Sequence, residues 1–266
     1  VASGDPLAHA VILWTRVSPD AVLQESMLQA EAESRHSLRA RQLWHELRNV
    51  PVRWEVARDA GFDHLVARGI AIARADNDFT VKVDVTGLSP ATRYFYRFTC
   101  AGALSPVGRT RTLPRGSAEQ VRLAAVSCSN YPAGFFNVYA RIAERDDLDA
   151  VLHLGDYLYE YDADGYASGD AAALGRVVEP ANELLSLADY RTRHAQYRSD
   201  PDAQALHAAL PMIAVWDDHE IANDAWRDGA ENHDPASEGA WTQRRAAAMR
   251  AYHEWMPTRL PDPARP

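Results

Sequence analysis

Three short apolar runs, each followed at once by a polar cluster, constrain this chain most. They are Val121–Val126, Ala150–Leu154 and Met212–Trp216. Helical patterns lie around them. One runs from about Asn137 to Arg145 after the first run. A second spans roughly Leu185 to Leu210, broken at Pro201, before the third, and another covers Trp241 to Trp255 beyond it. A β-loop-α-β order of this kind predicts the opening of an α/β or layered α/β/α domain.

The first third reads differently. Ala10–Arg16 is an apolar strand candidate, and Val52–Ala57 and Phe79–Val85 alternate with the strand period of two. Tyr94–Phe98 follows a turn. Strands at close spacing, separated by Gly, Pro, Asp and Asn, predict a β-sandwich. Gly87-Leu88-Ser89-Pro90-Ala91-Thr92-Arg93-Tyr94 has the Leu-x-Pro-x-Thr-x-Tyr form of a tyrosine corner, in which the hydroxyl folds back onto the preceding loop. That form resembles a fibronectin type III domain; a plain turn is the simpler alternative. Between the first two strands, Leu23 to Leu47 is rich in Ala, Leu, Glu, Gln and Arg and reads as a helical insertion, near 21–49. Pro114-Arg115-Gly116-Ser117 looks like a linker, which divides the chain into 1–114 and 118–266.

The chemistry is expected at the ends of the three apolar runs, because ligands in α/β folds gather beyond the carboxyl ends of strands. The clusters are Ser127-Cys128-Ser129-Asn130-Tyr131, Gly155-Asp156-Tyr157-Leu158-Tyr159-Glu160 and Asp217-Asp218-His219-Glu220. Thiol, carboxylate, phenol and imidazole groups together suggest a metal site. A carboxylate has two oxygens and can bridge two cations, which makes Asp156 the candidate bridge. A thiolate and a phenolate suit a ferric ion, which favours Cys128 and Tyr159. The hard oxygens of Asp217 and Asp218 suit calcium or magnesium. His219 is a candidate proton donor to a phosphoryl oxygen or leaving group, and Asn130 a second catalytic candidate. Taken singly, each feature has a bland reading: Cys128 as a buried apolar residue, Gly155-Asp156 as a turn, Asp217–Glu220 as a helix cap, His153 as a core histidine. Three such clusters in one chain outweigh them.

Charge and hydropathy narrow the classes. A net charge of -9 argues against a nucleic-acid backbone binder, while bound cations would still allow a phosphorylated substrate. No stretch reaches the ~18 apolar residues of a membrane span. Cys100 and Cys128 are too few for a disulfide framework.

The blocks ending in Ser127-Cys128-Ser129-Asn130, His153-Leu154-Gly155-Asp156-Tyr157-Leu158-Tyr159-Glu160-Tyr161 and Trp216-Asp217-Asp218-His219-Glu220 resemble the signature of PhoD-like alkaline phosphatases. Asp189–Arg198 is similar to that family's connecting helix, and Ser3-Gly4-Asp5-Pro6 and Gly108–Thr112 to its leading β-domain. The resemblance covers nearly the whole chain except the insertion. It implies a fibronectin-III-like β-sandwich followed by a calcineurin-like metallophosphoesterase α/β/β/α domain. It implies hydrolysis of phosphate mono- and diesters, on small molecules or phosphorylated polymers, with iron (Fe3+) and calcium as cofactors. It also implies an exported enzyme, secreted or periplasmic, sent out by the twin-arginine route. Cys128, Asp156 and Tyr159 match the family's iron ligands. Asp218 stands where the wider superfamily has the metal-binding Asn of Gly-Asn-His, and His219 matches its His. The superfamily's first Asp-x-His block is absent, and Cys128 sits in its place.

The family's later Gly-Asp-x-His block has no counterpart after His219, and His233 and His253 lack its context. The phosphoesterase domain is therefore expected to be incomplete, truncated at its C-terminus. A chain without those ligands is expected to bind metal poorly and to fall short of activity. Two other readings stay open: a different phosphoesterase of the same fold, and an inactive scaffold or binding protein built on the fibronectin-like module.

Overall fold

The computed structural model describes residues 1–18 and 48–259. The expected helical insertion near 21–49 falls almost entirely outside these residues. The N-terminal part is a β-sandwich. Its strands are β1 (Ala2–Gly4), β2 (Ala10–Arg16), β3 (Asn49–Ala57), β4 (Leu65–Arg74), β5 (Thr80–Thr86), β6 (Arg93–Cys100), β7 (Ala103–Leu104) and β8 (Gly108–Arg111). Three more strands, β9 (Leu123–Val126), β10 (Ala150–His153) and β11 (Pro211–Ala214), belong to the α/β part. The helices are α1 (Asn137–Ala143), α2 (Ala171–Leu174), α3 (Leu187–Ser199), α4 (Pro201–Ala209), α5 (Pro235–Glu238) and α6 (Trp241–Trp255).

Two sheets result. One has the order β4-β3-β6-β7, with β8 also on β6; the other is six-stranded, in the order β5-β2-β1-β11-β10-β9. The second sheet serves both parts of the molecule. Its β5-β2-β1 half faces the five-stranded sheet across an apolar core of Val11, Leu13, Val52, Val56, Val81, Val85, Tyr94, Tyr96 and Phe98. Its β11-β10-β9 half carries Val151 and Met212 into a second core with Leu158, Leu184, Tyr190, Tyr197 and Leu206. The join is β1, antiparallel to β2 and parallel to β11, with Ser3 opposite Pro211 and Gly4 opposite Met212. The linker at 114–117 thus connects two units that share one hydrogen-bonded sheet.

Local chemistry explains the elements. The tyrosine corner forms: the Tyr94 hydroxyl accepts the Ser89 N–H at 2.8 Å, and its ring is buried. The helix pattern before β11 is split because Pro201 has no N–H to donate and holds Asp200 in an extended conformation. Asp200 then caps α4, accepting from Asp202 N and Ala203 N, and pairs with the buried Arg176 at 2.7 Å. α3 opens on a capping box between Ser186 and Asp189. Helices cover one face of β9–β11. On the other face of the edge strand Leu123 and Ala125 are exposed.

The Ser3-Gly4-Asp5-Pro6 block owes its residue types to the join. A Cβ on Gly4 would lie 2.7 Å from Met212 O and closer still to Pro257 O, both backbone atoms that cannot swing aside. Asp5 N continues the pairing to Met212 O at 3.0 Å, and its carboxylate accepts from Arg259 N. Gly4→Ala is therefore expected to cost about 1–3 kcal/mol through overpacking. Urea unfolding of the two chains measures this, and an unchanged midpoint would show that the join has slack.

Candidate metal centre

The three strand-end clusters converge because their strands run parallel in one register. His153 lies opposite Val126 on one side and Ala214 on the other, so the three loops leave the sheet at the same level. Backbone bonds then lace the first two loops together: Cys128 N to Gly155 O at 3.2 Å and Ser129 N to Asp156 O at 2.8 Å. Gly155 makes the closest approach to the third loop. Its φ is +106°, and a Cβ there would stand 2.5 Å from Asp217 Cβ and 2.7 Å from Asp217 N. Cys128 and Asp156 both adopt the left-handed region, at φ 59° and 53°. Such conformations cost roughly 1–3 kcal/mol for a non-glycine residue and concentrate at functional sites.

Asp156, Asp218 and His219 each offer one ligand atom, and these atoms lie within 4.8 Å of one another. The Tyr159 hydroxyl donates to Asp156 Oδ2 at 3.0 Å, and Cys128 is a near neighbour in its surroundings. The Cys128 side chain is on the exposed side of the cluster. The donor set fits a cation on an observation of its own: Asp156 Oδ1 is buried with no hydrogen-bond partner among the described residues. A buried carboxylate oxygen left bare is costly unless a cation or another donor meets it. Tyr159 agrees. Burial, followed by the neighbouring Asp156 charge and the Cys128 thiol, pushes its hydroxyl well up from the ordinary range. A cation would reverse that field and favour the phenolate.

Each sequence-expected residue has a definite place. Asp156, Asp218 and His219 meet in the cluster, Tyr159 bonds Asp156, and Cys128 is adjacent to Tyr159 at its exposed edge. Asp217 is beside them; burial, then the charges of Asp218 and Asp156, raise its carboxyl above the usual range. The Asn130 amide donates to Tyr166 O at 3.2 Å, and its Oδ1 is buried without a partner among the described residues. His153 is buried in the sheet, its Nε2 facing the Tyr139 hydroxyl at 2.9 Å and Ser129 Oγ at 3.1 Å. Burial lowers its pKa to about 4, so it is a neutral core residue.

Sequence reasoning missed three residues that hold the cluster in shape. Glu160, fully buried, has Oε2 2.8 Å from His219 Nδ1 and takes Asn223 N at 2.6 Å and Asn232 Nδ2 at 2.8 Å on Oε1. With Nδ1 engaged, Nε2 is the free ring nitrogen of His219. Burial alone would lower the His219 pKa; the Glu160 bond, with the charges of Glu160, Asp218 and Asp156, turns the net shift upward. Glu220 joins the second and third loops, accepting Tyr157 N at 2.6 Å and Asp217 N at 2.9 Å. Arg193, fully buried, donates to the backbone carbonyls of Tyr159, Tyr161, Glu179 and Pro180. The two glutamates directly follow Tyr159 and His219 in the sequence. Nothing in residue type separates a ligand from the clamp beside it.

A cluster of carboxylates, phenol, thiol and imidazole at the carboxyl edge of three parallel strands defines an α/β protein with a candidate metal centre. The chain belongs to the PhoD-like phosphatase family: the family model "PhoD-like phosphatase" matches residues 123–266, and "PhoD-like phosphatase, N-terminal domain" matches residues 1–114. It is 41% identical over 263 residues to alkaline phosphatase D of Bacillus subtilis (strain 168), covering 98% of this chain and 41% of that protein. A solved structure described as "Structure of PhoD" superposes with a TM-score of 0.81 at 40% identity, over 97% of this chain and 45% of its own. The chain thus spans less than half the length of these relatives.

The pKa of Glu220 makes the loop clamp testable. Burial raises it from the ordinary 4.5 to about 7, despite the two backbone donors. The folded chain therefore holds this proton more tightly than the unfolded one. The resulting stabilisation is full below about pH 4.5 and is lost as pH rises through about 7. In metal-free protein, Glu220→Gln should flatten the fall in stability across that window, measured by urea midpoints at several pH values. An identical pH profile in both chains would remove the proton from the account of the clamp.

Proposed function

We propose that this chain forms the first part of a metal-dependent phosphoesterase that hydrolyses phosphate mono- and diesters, with iron (Fe3+) and calcium at the centre. The observation that carries the reading is the bare, buried Oδ1 of Asp156 inside a converging set of ligand atoms. The family supports the substrate class. The thiol of Cys128 and phenol of Tyr159 support iron, and the hard oxygens of Asp217 and Asp218 support calcium.

Bound cations supply Lewis-acid charge that gathers the phosphate oxygens and makes a water more acidic. The chain's own residues do the rest. Asp156, Cys128, Tyr159 and Asp218 would hold the cations. His219, fixed at Nδ1 by Glu160, presents Nε2 to the phosphate. The Glu160 carboxylate on Nδ1 favours its charged form, which suits a donor to the leaving oxygen. Glu220 keeps the second loop at its distance from the third, and Arg193 ties the second loop to Glu179 and Pro180. Export across the membrane, as in the family reading above, belongs to the same proposal.

Elemental analysis of wild type, Asp156→Ala and His219→Ala, beside hydrolysis of bis-p-nitrophenyl phosphate, tests this. Within a chain of the relatives' full length, wild type should carry stoichiometric iron and calcium, and Asp156→Ala should lose them. His219→Ala should keep the metal while hydrolysis falls by roughly 10²–10⁴-fold, the usual contribution of a positioned acid. Metal lost from His219→Ala would make His219 a ligand instead. A wild-type chain without metal would favour the scaffold reading.

A further inference from the structure

Helix α3 turns one face to all three strand-end loops. Tyr190, Arg193 and Tyr197 lie three and four residues apart, so they share that face, and all three are buried. The Tyr190 hydroxyl donates at 2.6 Å to Ile221 O, just past the third cluster. Arg193 donates to Tyr159 O and Tyr161 O on the second loop. The Tyr197 hydroxyl accepts two main-chain donors: Tyr131 N of the first loop at 3.0 Å and Tyr159 N of the second at 3.3 Å. The stretch Asp189–Arg198, which the sequence marks only as a connecting helix, thus reaches every loop of the candidate centre.

Tyr197 acts where the direct lacing of the first two loops gives way. Cys128 bonds Gly155, and Ser129 bonds Asp156, main chain to main chain. Further out, the Tyr197 oxygen bridges Tyr131 on one side and Tyr159 on the other. Tyr159 is then held at both of its backbone groups by one helix face, its N–H by Tyr197 and its C=O by Arg193. The side chain on that backbone is the phenol that donates to Asp156 Oδ2 at 3.0 Å. Fixing both backbone groups fixes the direction of the Cα–Cβ bond, and so where the phenol oxygen can go. The bridging ring is itself held in place, with centroids 5.4 Å from Tyr131 and 5.9 Å from Phe136. α3 is in turn anchored to α6 by Arg191 and Glu254 at 2.7 Å. Removing the Tyr197 oxygen leaves two main-chain N–H groups without their acceptor, while the ring keeps its packing.

We propose that Tyr197 is a positioning residue that sets the Tyr159 phenol toward the metal, its hydroxyl clamping the Tyr159 peptide to the Cys128 loop. The proposal rests on the iron reading above and deepens it. Tyr197 acts through Tyr159 rather than on the metal or the substrate.

Two readouts test the clamp, one on metal-free protein and one on the ferric form of a chain of the relatives' full length. With isotope-labelled tyrosine, hydrogen exchange of the Tyr131 and Tyr159 amides in metal-free protein should quicken about tenfold in Tyr197→Phe, the contribution of one hydrogen bond. Unchanged exchange overturns the clamp whatever the metal does. In the ferric protein, the phenolate-to-iron charge-transfer band should shift and weaken in Tyr197→Phe. It should stay as in wild type in Tyr190→Phe, which loses an equally buried hydroxyl of the same helix face that serves the third loop. Should Tyr197→Phe not fold, Arg193→Lys takes its place, because it loosens the other side of the same peptide; the band must shift there for the clamp to stand. A band unmoved in Tyr197→Phe, or moved as far by Tyr190→Phe, overturns the positioning role and leaves the iron reading standing. Iron-loaded wild type without a phenolate band overturns both.

Discussion

The site depends on the parallel register of β9, β10 and β11. Because His153 is level with Val126 and Ala214, three loops distant in sequence leave the sheet side by side. A shift of one residue in any strand would turn its side chains to the other face and move its loop along the strand axis. The loops are then held by main-chain bonds between Cys128 and Gly155 and between Ser129 and Asp156, and by two buried carboxylates. Glu220 spans the second and third loops, while Glu160 fixes the His219 ring. These constraints maintain Cys128 and Asp156 in left-handed conformations that free chains avoid. The rigid sheet edge thus carries the local strain of the functional loops.

Electrostatics points the same way. Asp156, Asp217 and Asp218 crowd together: burial first, then neighbouring carboxylate charge, raises Asp217 and Tyr159, and at His219 the Glu160 bond with the charges of Glu160, Asp218 and Asp156 outweighs burial and favours the protonated ring. A protein built only for stability would not gather carboxylates and leave a buried oxygen of Asp156 bare. A cation turns each of those costs into an attraction. The sandwich contributes through β1, which lies between β2 and β11 and ties the N-terminal part into the same sheet. The site's sheet is thereby braced on the side away from the exposed Leu123 edge.

Much of this was legible in the sequence, for physical reasons. Strands with clear alternation or apolar runs, such as Ala10–Arg16, reappear with the same bounds. Helix α6 matches Trp241–Trp255, and Pro201 splits α3 from α4 because proline chemistry is local. Cys128, Asp156, Tyr159, Asp218 and His219 were legible because strand-end position and residue chemistry coincide there. β1 was not: three residues are too few for a period to show, and its pairing to β11 spans more than two hundred residues. Nor were the roles of Glu160, Glu220 and Arg193, since burial and partners are tertiary facts. Asn130, expected as a second catalytic residue, has its amide nitrogen on the Tyr166 carbonyl.

The central proposal is that loops from three parallel strands bring a thiolate, a phenolate and carboxylates to one metal centre, with the thiolate of Cys128 on iron. Iron K-edge X-ray absorption on the iron-loaded chain tests it most directly. The account predicts a first shell of one sulfur with oxygen or nitrogen neighbours, and loss of the sulfur in Cys128→Ser. A shell of light atoms alone in the wild-type chain would contradict it.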